Sequence, residues 1–175
     1  YSMENQIDRI EKMLNDECIN NKYDYVICDC GLLLDVTVLN VVKASDLLII
    51  PVKAGGYGID AVENMIEQTK GIEGQQVKVL MTMKTGNITN KDTAQWLRDT
   101  YKDKMFKTEI RRSVVAEKAE TAKRPLPEMS RGSNAAKDYN NVIREIMTDE
   151  EWNVAQAYIE SKRRNKKTGR FQKVD

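Results

Sequence analysis

The sequence predicts an α/β fold in which a mostly parallel sheet is flanked by helices and followed by a helical C-terminal end. Two observations favour this fold. Short apolar runs alternate along the chain with amphipathic segments, at lengths typical of right-handed βαβ crossovers. Beyond about residue 113 the remaining pattern is helical.

The first elements follow from hydrophobic periodicity. Residues 3–17 place apolar side chains at helical spacing and predict the first helix. The continuous apolar run at 25–28 predicts a strand covered on both faces. Residues 36–44 predict a helix despite their β-branched content, and 46–52 predict a second buried strand.

The alternation continues after a glycine-rich turn at 55–58. A helix is predicted over about 59–70, a third strand over 77–83, and another helix over 89–101. Three further helices are predicted over residues 113–122, 133–147 and 149–163. Thr148 and Glu151 have the spacing of a capping box at the start of the last helix.

Composition limits the function classes. Charged residues make up 31 % of the 175 residues, mean hydropathy is −0.59, and no apolar run has the roughly 18–20 residues of a membrane helix. The first residues have no basic-then-apolar pattern, so we expect no export leader. Three cysteines, Cys18, Cys28 and Cys30, favour a reducing cytoplasm over a disulfide framework. Without histidine or a second cysteine pair, Cys28 and Cys30 are interpreted as residues in and after a buried strand, not as zinc ligands.

The net charge of +1 is unevenly distributed. Residues 161–175 hold seven Lys or Arg and one Asp, whereas the preceding 160 residues hold 21 basic and 26 acidic side chains. We therefore divide the chain into an α/β part, 1–147, and a helical extension with a basic tail, 148–175. Such a tail is usually solvated, although it could also contact phosphates without sequence preference.

Asp29 directly follows the apolar run at 25–28, the form of a Walker B element. A rigid buried strand could hold this carboxylate near a Mg²⁺ that bridges nucleotide phosphates. By itself the feature is weak, because Asp after a strand often caps a helix.

A longer pattern resembles the ParA family of deviant-Walker P-loop partition ATPases. The segment YDYVICDCGLLLDVTVLNVVKASDLLIIPV resembles the family's YDxIIID strand, Asn-bearing helix, AxD and strand ending in Pro-Val. Downstream, Thr82 and Met83 match a strand ending in Thr-Met. The C-terminal match is carried by Phe106, Thr108, Ile110, Arg111, Pro125, Leu126, Ser130, Ala135, Ala136 and Tyr139.

The resemblance implies a weak ATPase that uses ATP and Mg²⁺, forms a homodimer with ATP and binds DNA without sequence preference. It also implies a ParB-like centromere-binding partner, a role in plasmid or chromosome segregation, and a bacterial, cytoplasmic, nucleoid-associated location. Asp29 would act catalytically by holding Mg²⁺ through water. The adenine side would be lined by Thr82, Met83, Pro125 and Leu126.

Three arginines fall in the region corresponding to the family's DNA-contacting surface: Arg111, Arg112 and Arg131. Phosphate contacts need charge and reach but no base readout. Ordinary surface ion pairing is the alternative for these side chains.

Two departures from the family pattern matter. The chain has no Gly-rich loop with a Lys, so we expect it to be a fragment that binds ATP weakly and is inactive alone. The turn after Asp29 lacks the family's prolines, and Asp35 either caps the next helix or positions water. Two alternatives remain: a MinD-like membrane-positioning ATPase, poorly supported by the tail, and a non-catalytic DNA-binding adaptor.

Overall fold

The computed structural model describes residues 9–16, 22–31, 35–53, 56–72 and 75–168. These residues form two compact units. The first contains the described residues up to Leu80 together with Asn87–Met105, and the second contains Met81–Gly86 and the described residues from Phe106 onward. The proposed division at 147/148 stays a prediction.

The first unit contains the parallel sheet. Its elements are α1 (Arg9–Leu14), α2 (Val36–Ala44), β1 (Leu47–Lys53), α3 (Gly56–Gln68), β2 (Gln76–Thr82, which ends in the second unit) and α4 (Ile88–Tyr101). β1 and β2 are parallel neighbours, and α3 connects them. Buried Val52, Val62, Val79 and Leu97 belong to its core.

The second unit is mainly helical. It contains α5 (Val114–Thr121), α6 (Leu126–Ser130), α7 (Asn134–Ile146) and α8 (Asp149–Thr168). Backbone bonds extend the end of β2 beside the segment before α5: Lys84 N donates to Ile110 O at 3.0 Å, and Arg112 N donates to Lys84 O at 3.0 Å. This pairing places charged residues where β2 ends.

The starts of α2 and α8 follow the capping rules. The Asp35 side chain accepts from Val38 N at 2.9 Å, so its role as the cap of α2 is confirmed. At α8, Thr148 N donates to Glu151 Oε2 at 2.7 Å and Glu151 N donates to Thr148 Oγ1 at 3.3 Å. The predicted capping box is therefore confirmed.

The predicted α/β class with a parallel sheet is confirmed, and β1, β2, α4 and α7 lie within about two residues of their predicted bounds. α6 was not predicted. α3 begins at Gly56, inside the predicted turn. None of the helices in the described part of the chain is long and apolar enough to cross a bilayer.

The prediction of a covered strand at 25–28 is wrong. Residues 22–31 contain no strand, and Ile27 is 91 % exposed. A strand needs a neighbour that satisfies its backbone groups and covers its side chains. Within the described ranges the sheet consists of β1 and β2 alone, and neither pairs with this segment. Cys28 and Cys30 are exposed too, so their interpretation as buried strand residues is also wrong.

Candidate functional site

A cavity of about 470 Å³ lies in the second unit at the carboxyl end of β2. Its walls include Thr82 at the end of β2, Met83 directly after it, Leu126 from α6 and Tyr139 from α7, together with charged side chains such as Glu117 and Arg124. In α/β folds this end of the strands is where ligands bind. The volume falls in the range of pockets that hold small molecules, about 300–1,000 Å³.

Met83 occupies an unusual backbone conformation at the edge of this cavity. Its φ is 54°, in the left-handed region that residues with a Cβ seldom adopt. The next residue, Lys84, is fixed by its backbone bond to Ile110, which holds the turn in place. Non-glycine strain of this kind is most often found at functional positions. Met83 thus presents a half-exposed apolar side chain at the cavity wall.

Leu126 reaches the same cavity because of the proline before it. Pro125 is the N-cap of α6, with φ of −57° and an extended ψ of 136°. Proline fixes φ near this value and so sets where the helix begins. Leu126 lines the cavity as the first residue of α6, whereas Pro125 is not among the lining residues.

A second, more open cavity of about 800 Å³ lies in the same unit and has a charged wall. Lys84, Glu109 and Asp138 line it, together with the exposed amide of Asn141. Arg111 and Arg112 line both cavities. The backbone segment that carries these two arginines is therefore a wall common to both cavities.

Arg111 is held by Asp138 through a bidentate ion pair. Nε of Arg111 donates to Oδ2 of Asp138 at 2.8 Å, and Nη2 donates to Oδ1 at 2.6 Å. The backbone N–H of Arg111 donates to the same Oδ2 at 3.1 Å. These hydrogen bonds lower the pKa of Asp138, although burial opposes the shift, and the bond to Asp138 raises the pKa of Arg111.

The other two cations of the charged wall are also paired. Lys84 forms an ion pair with Glu109, whose side chain is 8 % exposed. Arg112 Nε lies 3.2 Å from Glu117 Oε1, and both of these side chains are well exposed. Exposed pairs of this kind contribute little to stability, so Arg112 can exchange its partner at small cost.

The predicted arginines do not all lie together. Arg111 and Arg112 share the cavity wall, whereas Arg131 is the exposed C-cap residue of α6 and lines neither cavity. All three belong to the second unit. Their assignment to DNA contact stays a prediction.

Asp29 belongs to the first unit, in the exposed segment 22–31. Among the residues that the structure describes, no group of three or more His, Cys, Asp or Glu could hold a metal ion. A carboxylate here could act on a hydrated Mg²⁺ only together with other ligands, such as phosphates. Cys30 is exposed, but the slight desolvation of its thiol, with Cys28 and Asp29 nearby, raises its pKa and disfavours a reactive thiolate.

Comparison with known proteins shows what the chain is similar to. A family model described as AAA domain matches residues 2–82. The sporulation initiation inhibitor protein Soj of Bacillus subtilis is 27 % identical over 141 residues, 74 % of this chain and 54 % of Soj. A ParA family protein of Chlamydia pneumoniae is 24 % identical over 134 residues, 74 % of this chain and 52 % of its own length. The chain is similar in sequence to ParA family proteins.

An uncharacterized protein of Pseudomonas putida shows a similar relationship, with 25 % identity over 136 residues, 74 % of this chain and 52 % of that protein. The chain spans about half the length of the curated relatives it matches. The ParA-type resemblance found in the sequence is confirmed at the level of family.

Sequence reasoning missed Lys84, Glu109 and Asp138. Asp138 had a detectable signal: with Ala135 and Val142 it lies at i, i+3 and i+7, so it occupies the apolar stripe of α7. A carboxylate at such a position is buried and needs a cationic partner. Lys84 and Glu109 carry no comparable signal, because charged residues after a strand are common.

Proposed function

We propose that the chain acts as part of a ParA-like partition ATPase, which dimerises with ATP and binds DNA without sequence preference. The main support is a cavity at the end of β2 that is lined by Thr82, Met83 and Leu126. The resemblance assigns these three residues to the adenine side. Leu126 is distant in sequence from Thr82 and Met83, so their convergence on one cavity supports a ligand site more strongly than any one of them.

Part of the wall of the smaller cavity, which also carries charged side chains, fits an adenine base. Met83, Leu126 and Tyr139 offer apolar and aromatic surface, and Thr82 offers a hydroxyl beside them. Apolar surface with polar groups beside it is typical of sites that orient a small ligand. Asp29 would hold Mg²⁺ through water, and bound MgATP would supply the phosphoanhydride that the family hydrolyses.

DNA binding is proposed for the cations of the second unit. Arg112 and Arg131 are exposed and Arg111 lies beside Arg112, which suits contacts to a phosphate backbone. A ParB-like protein is the proposed partner that stimulates hydrolysis, by analogy with the family.

The nucleotide part is tested by calorimetry with MgATP on the protein expressed from its own gene, beside this 175-residue chain. Leu126→Glu places a charge in the cavity wall and is expected to weaken binding about tenfold or more, which corresponds to about 1.4 kcal/mol. Met129→Glu is the matched control, because Met129 belongs to the same helix and does not line the cavity. Asp29→Ala should weaken only the Mg²⁺-dependent part.

An equal loss of MgATP affinity in Leu126→Glu and Met129→Glu would refute the adenine assignment. A non-catalytic DNA-binding adaptor is the second candidate, because these 175 residues contain no Gly-rich loop with a Lys. If the gene product ignores MgATP and still binds DNA, the adaptor is the correct function and the ATPase proposal fails.

A further inference from the structure

The charged cavity has its carboxylates and its cations at different depths. The side chains of Asp138 and Glu109 are 7 % and 8 % exposed, whereas those of Lys84, Arg111 and Arg112 are 31 %, 47 % and 63 % exposed. A ligand that enters from solvent therefore meets positive charge first. This arrangement favours an anion, although each cation is formally paired.

Asp138 fixes more than the guanidinium of Arg111. It also accepts the backbone N–H of Arg111, and the next residue, Arg112, donates its own N–H to Lys84 O. One buried carboxylate on α7 thus anchors the backbone from which the cations of the cavity project. A free arginine loses rotamer entropy on being held, whereas a guanidinium already fixed on a carboxylate loses less when a phosphate binds.

We propose that Asp138 is a positioning residue for nucleic-acid phosphates, and that it preorganises Lys84, Arg111 and Arg112 as one anion-binding wall. The inference rests on the proposed function and adds to it: Lys84 becomes a phosphate contact, and a negative residue strengthens binding to a polyanion. Simple charge counting predicts the opposite, because removing a carboxylate should increase affinity for DNA.

The test measures binding of a fluorescent mixed-sequence duplex to the 175-residue chain over a range of KCl concentrations. Asp138→Asn is expected to bind several-fold more weakly than the wild type, and its plot of log K against log salt should be shallower by about one. Glu128→Gln is the matched control, since it makes the same charge change in the same unit, next to Arg124, and lines neither cavity. It should bind as tightly as the wild type or more tightly.

Tighter binding by Asp138→Asn, or a change equal to that of Glu128→Gln, would overturn the proposal. Arg111→Lys keeps the charge but cannot form the bidentate pair, so it must also weaken binding; it supplies the test if Asp138→Asn fails to fold in a thermal melt. If inorganic phosphate binding depends on Asp138 but duplex binding does not, nucleic acid is the wrong ligand. A wild-type chain that binds no duplex at low salt would instead refute the proposed DNA-binding function.

Discussion

Gly58→Ala is expected to destabilise the first unit, because Gly58 lies where α3 approaches the end of β1. A Cβ at this position would lie 2.7 Å from the carbonyl oxygen of Lys53 and 2.8 Å from Cγ2 of Val52. The nearest of these atoms is backbone, so relief requires α3 to move away from β1. Forced overpacking of this kind costs about 1–3 kcal/mol, whereas the better helix propensity of alanine returns about 1 kcal/mol.

The net expectation is a loss of up to about 2 kcal/mol of unfolding free energy, measured by urea titration with an unchanged slope. Gly132→Ala is the control, since nothing lies within 4 Å of an added Cβ there. It should be neutral or stabilising by up to about 1 kcal/mol. If Gly58→Ala is as stable as Gly132→Ala, the close approach of α3 to β1 does not limit the size of this residue, and the reasoning fails.

Three further predictions concern the second unit. The pKa of Asp138 is lowered in the folded protein, so its pair with Arg111 contributes stability above the unfolded pKa of about 4. This stability is lost as the pH falls through the folded pKa. The melting temperature should therefore drop more steeply below pH 4 in the wild type than in Asp138→Asn. Thr148→Ala removes the capping box and should cost about 1 kcal/mol locally, seen as faster amide exchange at the start of α8. Met83→Gly relieves the strain of the positive φ but removes the side chain from the cavity wall. The free energy of unfolding should therefore change by less than about 1 kcal/mol, while the affinity for MgATP falls.

Elements with a strong local signal could be predicted from the sequence. β2 is a short run rich in apolar residues, α4 places its buried residues at helical spacing, and α8 begins with side chains that satisfy its own free N–H groups. The segment 25–28 has an equally clear apolar pattern, yet it forms no strand. Its backbone bonds would come from another strand, and a local pattern does not report whether that neighbour is present.

In the candidate site too, some residues could be predicted from the sequence and others depend on a distant partner. Thr82, Met83 and Leu126 could be assigned to the adenine side because the resemblance rests on residue types in order along the chain. That order can be read directly from the sequence. The wall between the two cavities depends on a pair separated by 27 residues, in which Asp138 lies on α7 and Arg111 before α5. Neither residue identifies the other, because buried carboxylates and surface arginines each have many partners available.

The pairing also changes what the predicted arginines can do. Arg111 and Arg112 are adjacent in sequence and have the same charge, but Arg111 is fixed on a buried carboxylate, whereas Arg112 has only an exposed pair with Glu117. The side chain of Arg112 can reorient toward a phosphate as it binds. The guanidinium of Arg111 can donate hydrogen bonds only in the orientation that its ion pair with Asp138 allows. Geometric selectivity for a phosphate backbone should therefore depend more on Arg111, and overall affinity more on Arg112. Alanine substitutions should separate the two effects. Arg112→Ala should lower the affinity for duplex and for single-stranded DNA alike, whereas Arg111→Ala should lower the ratio of duplex affinity to single-strand affinity.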